Sequence, residues 1–281
     1  MPVMRATHTY SSSGEIFSRR QVWELPEGRE IMDEVTVRFS SGFSRDEVKN
    51  PVLIEGLPGI GHVGKLVAEH MIHELGAEKI AEIHSVWFPP QVIIGEGGVV
   101  RLANNELWFC GGERQFIFLV GDHQSTSGRG HYLLADQYCT IARELGVTRL
   151  YTLGGFGVGH LVEEPRVLGA INHPSLLAEV EAAGAIVSRE EPGGGIVGAA
   201  GLLLGLSAMY EIEGVCLMGE TSGYLVDPKS AASLLRVLST LIGVEVDPTR
   251  LEERGAEMEY AIQRLIEGER TIENEELRYI G

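Results

Sequence analysis

The sequence predicts an α/β protein with a mostly parallel sheet, in which buried strands alternate with loops and helices. Residues 214–218 form an apolar run without polar alternation, which is typical of a strand buried on both faces of a parallel sheet. Polar and glycine residues at 219–223 then form a loop. Asp227 and Pro228 supply an acceptor side chain and a fixed φ, which favour the start of a helix. We therefore expect a strand, a loop and a helix in succession.

The same succession occurs earlier in the chain. Residues 51–56 have the pattern of a buried strand, glycines punctuate residues 57–64, and helical periodicity covers residues 65–75. Apolar runs at 114–121 and 147–153 predict two further buried strands. These elements together predict one large α/β domain.

The pattern divides the 281 residues into three regions. Residues 1–44 are interpreted as an N-terminal extension with one short strand, because apolar and polar residues alternate near its end. Residues 45–246 are predicted to form the α/β core domain. Residues 247–281 are predicted to form a C-terminal helix and an acidic tail.

Short strands separated by glycine and asparagine turns interrupt the α/β pattern. Alternation and turn residues of this kind are typical of hairpins, so we expect a small antiparallel insertion on the core. The three short strands are predicted at residues 91–94, 99–102 and 107–110.

Charge and composition exclude several classes of function. The formal net charge of −17 argues against binding to nucleic acid and to an anionic membrane surface. Three widely separated cysteines suggest neither a disulfide framework nor a CxxC metal site. No signal-like segment and no stretch of eighteen apolar residues occurs, so we expect a cytoplasmic protein.

Gly59, Gly61 and Gly64 match the spacing of the dinucleotide-binding fingerprint and stand between a predicted strand and a helix. A nicotinamide-binding unit also needs an acidic residue at the end of its second strand. Here that strand ends in Trp-Phe-Pro-Pro at residues 87–90. We therefore favour a tight crossover against neighbouring backbone over nucleotide binding, and expect no cofactor.

Loops after the predicted parallel strands should meet at one edge of the sheet. Asp122, His123 and Ser125 could form a hydrolytic set, but polar residues so close in sequence rarely adopt triad geometry, so no catalytic residues are predicted. His160 and Glu163 lack a second histidine, so no metal site is predicted. The candidate pocket loops contribute Gly59, Gly61, Gly64, Asp122, His123, Gly155, Gly157, Gly219, Glu220 and Thr221.

The C-terminal region offers two candidate binding elements. Apolar residues at spacings near seven and three to four form a helical stripe that needs a partner surface, so we expect it to mediate self-association. Tyr279, Ile280 and Gly281 end an acidic tail with two large apolar side chains, and we expect them to bind a partner. The stripe consists of Leu251, Met258, Ile262 and Leu265.

Three motifs in order resemble the proteasome assembly chaperone 2 family, and more narrowly its archaeal homologues. The motifs lie at residues 53–64, 152–159 and 219–224, and the likeness spans about residues 45–265. The resemblance implies a three-layer α/β/α domain similar to the phosphorylase/hydrolase-like fold, without established catalytic activity. It also implies self-association into small rings and binding to proteasome subunits or to a proteasome-associated chaperone.

Some members of that family end in a hydrophobic-Tyr-any tripeptide that inserts between proteasome α subunits. Here Tyr279 is third from the end, Arg278 precedes it, and Gly281 extends past the expected stop. The leading hypothesis is a non-enzymatic proteasome assembly chaperone or proteasome-associated binding protein. The alternative is a nucleoside- or nucleotide-directed enzyme of phosphorylase or hydrolase type that uses the glycine-rich loops.

Overall fold

The computed structural model describes residues 33–188, 194–258 and 260. Its helices include α1 Val63–Glu74, α2 Gly128–Glu144, α3 Leu177–Ala182, α4 Ala199–Ser207 and α5 Pro228–Ile242. The ten strands are β1 Val35–Phe39, β2 Val52–Glu55, β3 Glu78–Ser85, β4 Val92–Ile94, β5 Val100–Leu102, β6 Asn105–Cys110, β7 Phe116–Gly121, β8 Arg149–Gly157, β9 Val167–Ile171 and β10 Glu213–Thr221.

Eight strands form one mixed sheet in the order β1-β3-β6-β7-β2-β8-β10-β9. The four neighbours β7, β2, β8 and β10 pair in parallel, and the flanking pairings are antiparallel. Strand β3 runs in the same direction as this parallel centre, because two antiparallel pairings separate it from β7. The prediction of a mostly parallel α/β sheet is confirmed.

Helices cover both faces of the sheet and give the three layers that the resemblance implied. On one face, α1 and α5 pack on a core that includes Ile54 and Leu217. On the other face, α2 and α4 pack on a core that includes Leu53 and Leu150. The two cores use alternate residues of β2, because successive side chains of a strand point to opposite faces.

The predicted start of α5 is confirmed in atomic detail. The side chain of Asp227 accepts a hydrogen bond of 2.9 Å from the backbone N–H of Ser230, and Pro228 occupies the first helical turn. The helix ends at Gly243, whose φ of 62° lies in the left-handed region. An N-cap acceptor, an early proline and a C-terminal glycine are local signals, so the sequence could locate this helix.

The antiparallel segments differ from the prediction in one respect. Only β4 and β5 form the separate two-stranded insertion. Strand β6, which was predicted to belong to it, joins the main sheet between β3 and β7. The short strand predicted within residues 1–44 is β1, and it extends the same sheet by pairing with β3. A strand pattern does not reveal its partner, because pairing is a long-range contact.

Residues 249–258 and 260 are helical. The two residues of the predicted apolar stripe within this range differ in their burial. Leu251 is only 1% exposed and packs in the core beneath α5, so it is not available to a second copy. Met258 is half-buried. The remaining predicted binding residues, Ile262, Leu265, Tyr279, Ile280 and Gly281, lie outside the described residues.

None of the helices in the described ranges is both long enough and apolar enough to cross a membrane.

Candidate functional site

The loops at the carboxyl ends of β2, β7, β8 and β10 gather along one edge of the sheet, as the sequence predicted for the candidate pocket. Gln124 ties two of the surrounding segments together. Its Nε2 donates to the carbonyl oxygen of Pro58 at 2.8 Å, and its Oε1 accepts from the backbone N–H of Ala199 at 2.9 Å. Gln124 therefore links the loop after β2 to the start of α4.

Gly64 of the fingerprint and Gly155 of β8 lie against neighbouring backbone. A Cβ on Gly64 would stand 2.2 Å from the carbonyl oxygen of Leu153, and a Cβ on Gly155 would stand 2.2 Å from that of Ile60. Gly61 has a φ of +62°, which other residues rarely adopt. The glycines therefore let the crossover between β2 and α1 pack on β8, as the favoured interpretation of the sequence required.

The prediction that Gly157 and Gly219 belong to loops is wrong, because β8 and β10 extend through them. Gly157 faces the Cα of Gly223, and a Cβ on Gly219 would lie 2.3 Å from the Oγ of Ser230. Gly59 is less crowded, with its nearest neighbour, the Nε2 of Gln124, at 3.9 Å. At most of these glycines, other atoms of the protein therefore lie where a side chain would be.

Asp122 is held in a bidentate ion pair with Arg101. Nη1 and Nη2 of the arginine donate to the carboxylate at 2.6 and 2.8 Å, and the backbone N–H of Asn104 donates at 3.0 Å. Partial burial opposes the charge, but these hydrogen bonds outweigh it and hold the pKa of Asp122 below its ordinary value. His123 contacts Gln91, and Ser125 donates to the carbonyl oxygen of Ser127. Each side chain of the suspected hydrolytic set therefore forms a hydrogen bond with a residue outside the set.

Glu220 forms the second ion pair of this edge, with Arg166. Nε of the arginine donates to Oε1 at 3.0 Å and to Oε2 at 2.9 Å, and Nη2 donates to Oε1 as well. These hydrogen bonds hold the pKa of the Glu220 carboxyl below its ordinary value against the opposing effect of burial. Thr221 beside it is fully buried and contacts Gly61. Glu220 therefore fixes the loop before β9 to the end of β10.

Glu55 lies deeper, at the end of the central strand β2, and sequence reasoning missed it. It is 1% exposed; its Oε1 accepts from the backbone N–H of Leu57 at 2.9 Å, and its Oε2 has no hydrogen-bond partner among the described residues. Burial raises the pKa of this carboxyl to about 8, although backbone hydrogen bonds partly offset it. The signal was a single acid in the apolar run of residues 51–56.

Other buried polar groups extend from Glu55 across the sheet. Thr152 is its register partner on β8, and Cys216 is the partner of Thr152 on β10. Burial raises the pKa of the Cys216 thiol to about 12, although a hydrogen bond with the Thr152 side chain partly offsets it. A thiol that stays protonated and buried is a poor nucleophile. This row is part of the packing between the sheet and α4.

The rim above the ion pairs is exposed and apolar. Ile60 is 50% exposed, Leu161 58% and Tyr224 79%, and Leu225 and Val226 extend the patch. Ile60 and Tyr224 belong to one surface, because Ile60 reaches within 4 Å of the Cβ position of Gly223, the residue before Tyr224. Contiguous exposed apolar groups mark surfaces that bind proteins or ligands.

Within the described ranges, no group of three or more His, Cys, Asp or Glu side chains is arranged to hold a metal ion. Asp122 and Glu220 are paired with arginines, and Cys216 and Glu55 are buried. The apolar rim of the same edge is exposed to solvent. The arrangement is suited to binding a macromolecular surface.

Comparison with known proteins agrees in fold and in sequence. The model of the PAC2 family matches residues 53–266. An uncharacterised protein of Methanocaldococcus jannaschii is 40% identical over 245 residues, which cover 84% of this chain and 94% of that protein.

Two solved structures from Pyrococcus furiosus are similar. PbaB, an archaeal proteasome activator, has 39% identity and a TM-score of 0.78, over 83% of this chain and 99% of PbaB. PbaA, an archaeal homolog of proteasome-assembly chaperone, shares the fold with 24% identity and a TM-score of 0.71, over 88% of this chain and 97% of PbaA. The resemblance carried by the three motifs is confirmed, and the chain belongs to the PAC2 family.

Proposed function

We propose that this protein binds proteasome subunits or particles without catalysing a reaction, as an assembly chaperone or activator. The observation that carries the proposal is the likeness to PbaB, an archaeal proteasome activator, at 39% identity over 99% of that chain. On this proposal the protein works in an archaeal cytoplasm, where it meets proteasome subunits.

The geometry of the sheet edge favours binding over the alternative of a nucleotide-directed enzyme. A phosphate-handling site needs cations that are free to face the ligand. Arg101 is engaged by Asp122, and Arg166 is engaged by Glu220. Gly64 and Gly61 of the fingerprint are packed against Leu153 and Thr221, so a tight crossover within the chain accounts for both of them.

Two elements are proposed to contact the proteasome. The first is the exposed apolar rim around Ile60 and Tyr224. The second is the C-terminal Tyr279-Ile280-Gly281, whose two large side chains could each contribute about 1.5–3 kcal/mol on full burial, before ordering costs. The acidity of the chain, at −17, adds attraction to a basic docking surface. Self-association into a homo-oligomer is part of the same proposal, because several copies would present several such elements together.

Binding to a purified archaeal 20S proteasome tests the proposal. The intact chain should bind the immobilised particle, and deletion of residues 279–281 or the change Tyr224→Ala should weaken binding about tenfold or more. Tyr132→Ala is the matched control, because Tyr132 is also exposed but lies on α2.

Hydrolysis of a fluorogenic peptide by the same proteasome distinguishes activation from assembly. A faster rate in the presence of the protein indicates an activator. A tighter complex with free α subunits and an unchanged rate indicate an assembly chaperone. The proposed function would be refuted if the protein bound neither the particle nor its free subunits.

A further inference from the structure

The ribbon formed by β4 and β5 carries an aliphatic face that is exposed to solvent. Val92 pairs with Leu102 and Ile94 pairs with Val100, so these four side chains lie on one face of the ribbon. Each is at least half exposed, and Ile94 reaches 73%. Four neighbouring aliphatic side chains without a polar residue among them are unusual on a solvent-exposed strand pair.

The opposite face of the ribbon is fixed to the domain. Ile93 and Arg101 are register partners on that face, and Ile93 is less exposed than its neighbours. Arg101 forms the bidentate ion pair with Asp122 at the end of β7. This anchor holds the aliphatic face outward, so its exposure follows from the architecture.

A two-stranded ribbon needs a packed face to be stable in water. Within the described chain, β4 and β5 pair only with each other, and the aliphatic face has no covering element. These four side chains form one contiguous exposed apolar patch, and such patches are often functional.

We propose that this face, Val92, Ile94, Val100 and Leu102, packs against the same face of a second copy of the chain about a two-fold axis. The inference rests on the self-association proposed above and names its surface. An aliphatic face is complementary to itself, as a two-fold interface requires. Two ribbons stacked in this way form a small aligned sandwich, with the aliphatic side chains between them.

Charge favours a second copy over a basic partner. Two chains with a net charge of −17 repel each other, so they approach best where neither presents a charge. The four residues of this face are all uncharged, whereas a basic partner would be recognised through carboxylates. Four side chains from each copy make a contact that is small for a specific interface, so we expect a dissociation constant in the micromolar range.

Sedimentation velocity across micromolar concentrations tests the proposal. The intact chain should shift from one to two chains as concentration rises, or from a smaller to a larger oligomer if another interface also operates. The double variant Ile94→Thr/Val100→Thr keeps the β-branched shape that strands favour and places hydroxyls in the contact. It should raise the dissociation constant about tenfold or more.

A stronger variant and a matched control complete the design. Val100→Asp places a charge in the centre of the face and should remove the concentration-dependent step. Val197→Asp introduces the same change at a valine that is 97% exposed outside the ribbon, and should leave that step in place. Unchanged circular dichroism and melting temperature in each variant show that the fold is retained.

The outcomes separate this proposal from the proposed function. Loss of association in both ribbon variants, with proteasome binding per chain retained, supports the two-fold ribbon contact. Equal association in the ribbon variants and the intact chain would overturn it, as would an intact chain that stays monomeric at high concentration. If the ribbon variants keep their association but lose proteasome binding, the face is a proteasome-docking surface, and the second-copy proposal is wrong.

Discussion

Replacing Glu55 with glutamine should remove a pH dependence of folding that this one buried carboxyl creates. Glutamine keeps the shape of the side chain and the carbonyl oxygen that accepts from Leu57, but it cannot ionise. In the intact chain, the pKa of Glu55 is raised from 4.5 to about 8 because the carboxyl is buried. The folded protein therefore holds a proton that the unfolded chain releases at neutral pH.

The sign and size of the effect follow from this difference. Below pH 4.5 both states are protonated, and Glu55 costs nothing through ionisation. Between pH 4.5 and about 8 the free energy of unfolding falls by about 1.4 kcal/mol for each pH unit, because only the folded state binds the proton. The full loss is on the order of 4 kcal/mol near pH 8.

Denaturant unfolding of the intact chain and of Glu55→Gln at several pH values between about 5 and 8 measures the effect. As pH rises, the free energy of unfolding of the variant should increase relative to that of the intact chain. In a thermal melt, each kcal/mol of this difference should shift the melting temperature by roughly 2–4 °C. Other titrating groups are common to both proteins and largely cancel in the difference. Glu253→Gln is the control, because it makes the same chemical change at an exposed position.

A difference between the intact chain and Glu55→Gln that stays constant across this pH range would refute the reasoning. It would mean that Glu55 has the same proton occupancy in the folded and unfolded states. A variant that is less stable at every pH by a constant amount would indicate a lost contact of the carboxyl. Only a divergence that grows with pH supports a buried, protonated Glu55.

Two further substitutions test the packing of the sheet edge. Gly64→Ala should destabilise the fold by about 1–3 kcal/mol or more, because its Cβ would meet the Leu153 carbonyl oxygen; a melting temperature equal to that of the intact chain would contradict this. Arg166→Ala should cost about 1.5–3 kcal/mol, since it leaves the Glu220 carboxylate buried without its partner. Adding Glu220→Gln should recover part of that loss in denaturant unfolding, and two strictly additive losses would show that the ion pair is uncoupled.

The sequence by itself determined the local units of this protein. The apolar run of residues 214–218 identifies a buried strand because each of its residues must avoid water on both faces of a sheet. Asp227 and Pro228 identify the start of α5 because capping and a fixed φ act within one helical turn. Three motifs in order were enough to identify the family, since the residues of each motif meet a local backbone requirement of the fold.

Contacts between distant segments were decided only by the tertiary structure. Strand β6 has the pattern of a hairpin strand, yet it lies in the main sheet, because its partners β3 and β7 are chosen by register and burial. Leu251 belongs to an amphipathic stripe, and only the packing of its helix beneath α5 shows that the chain's own core uses it.

The candidate site depended on the same distant contacts. Asp122 and Glu220 were identified as polar loop residues, but their arginine partners lie 21 and 54 residues away in the chain. The sequence did not predict the burial of Glu55 or the exposure of the ribbon face. Glu55 is an acid that is buried, and the ribbon face consists of four aliphatic residues that are exposed. Burial is a property of the packed layers, because it depends on which elements cover a side chain, and no local pattern contains that information.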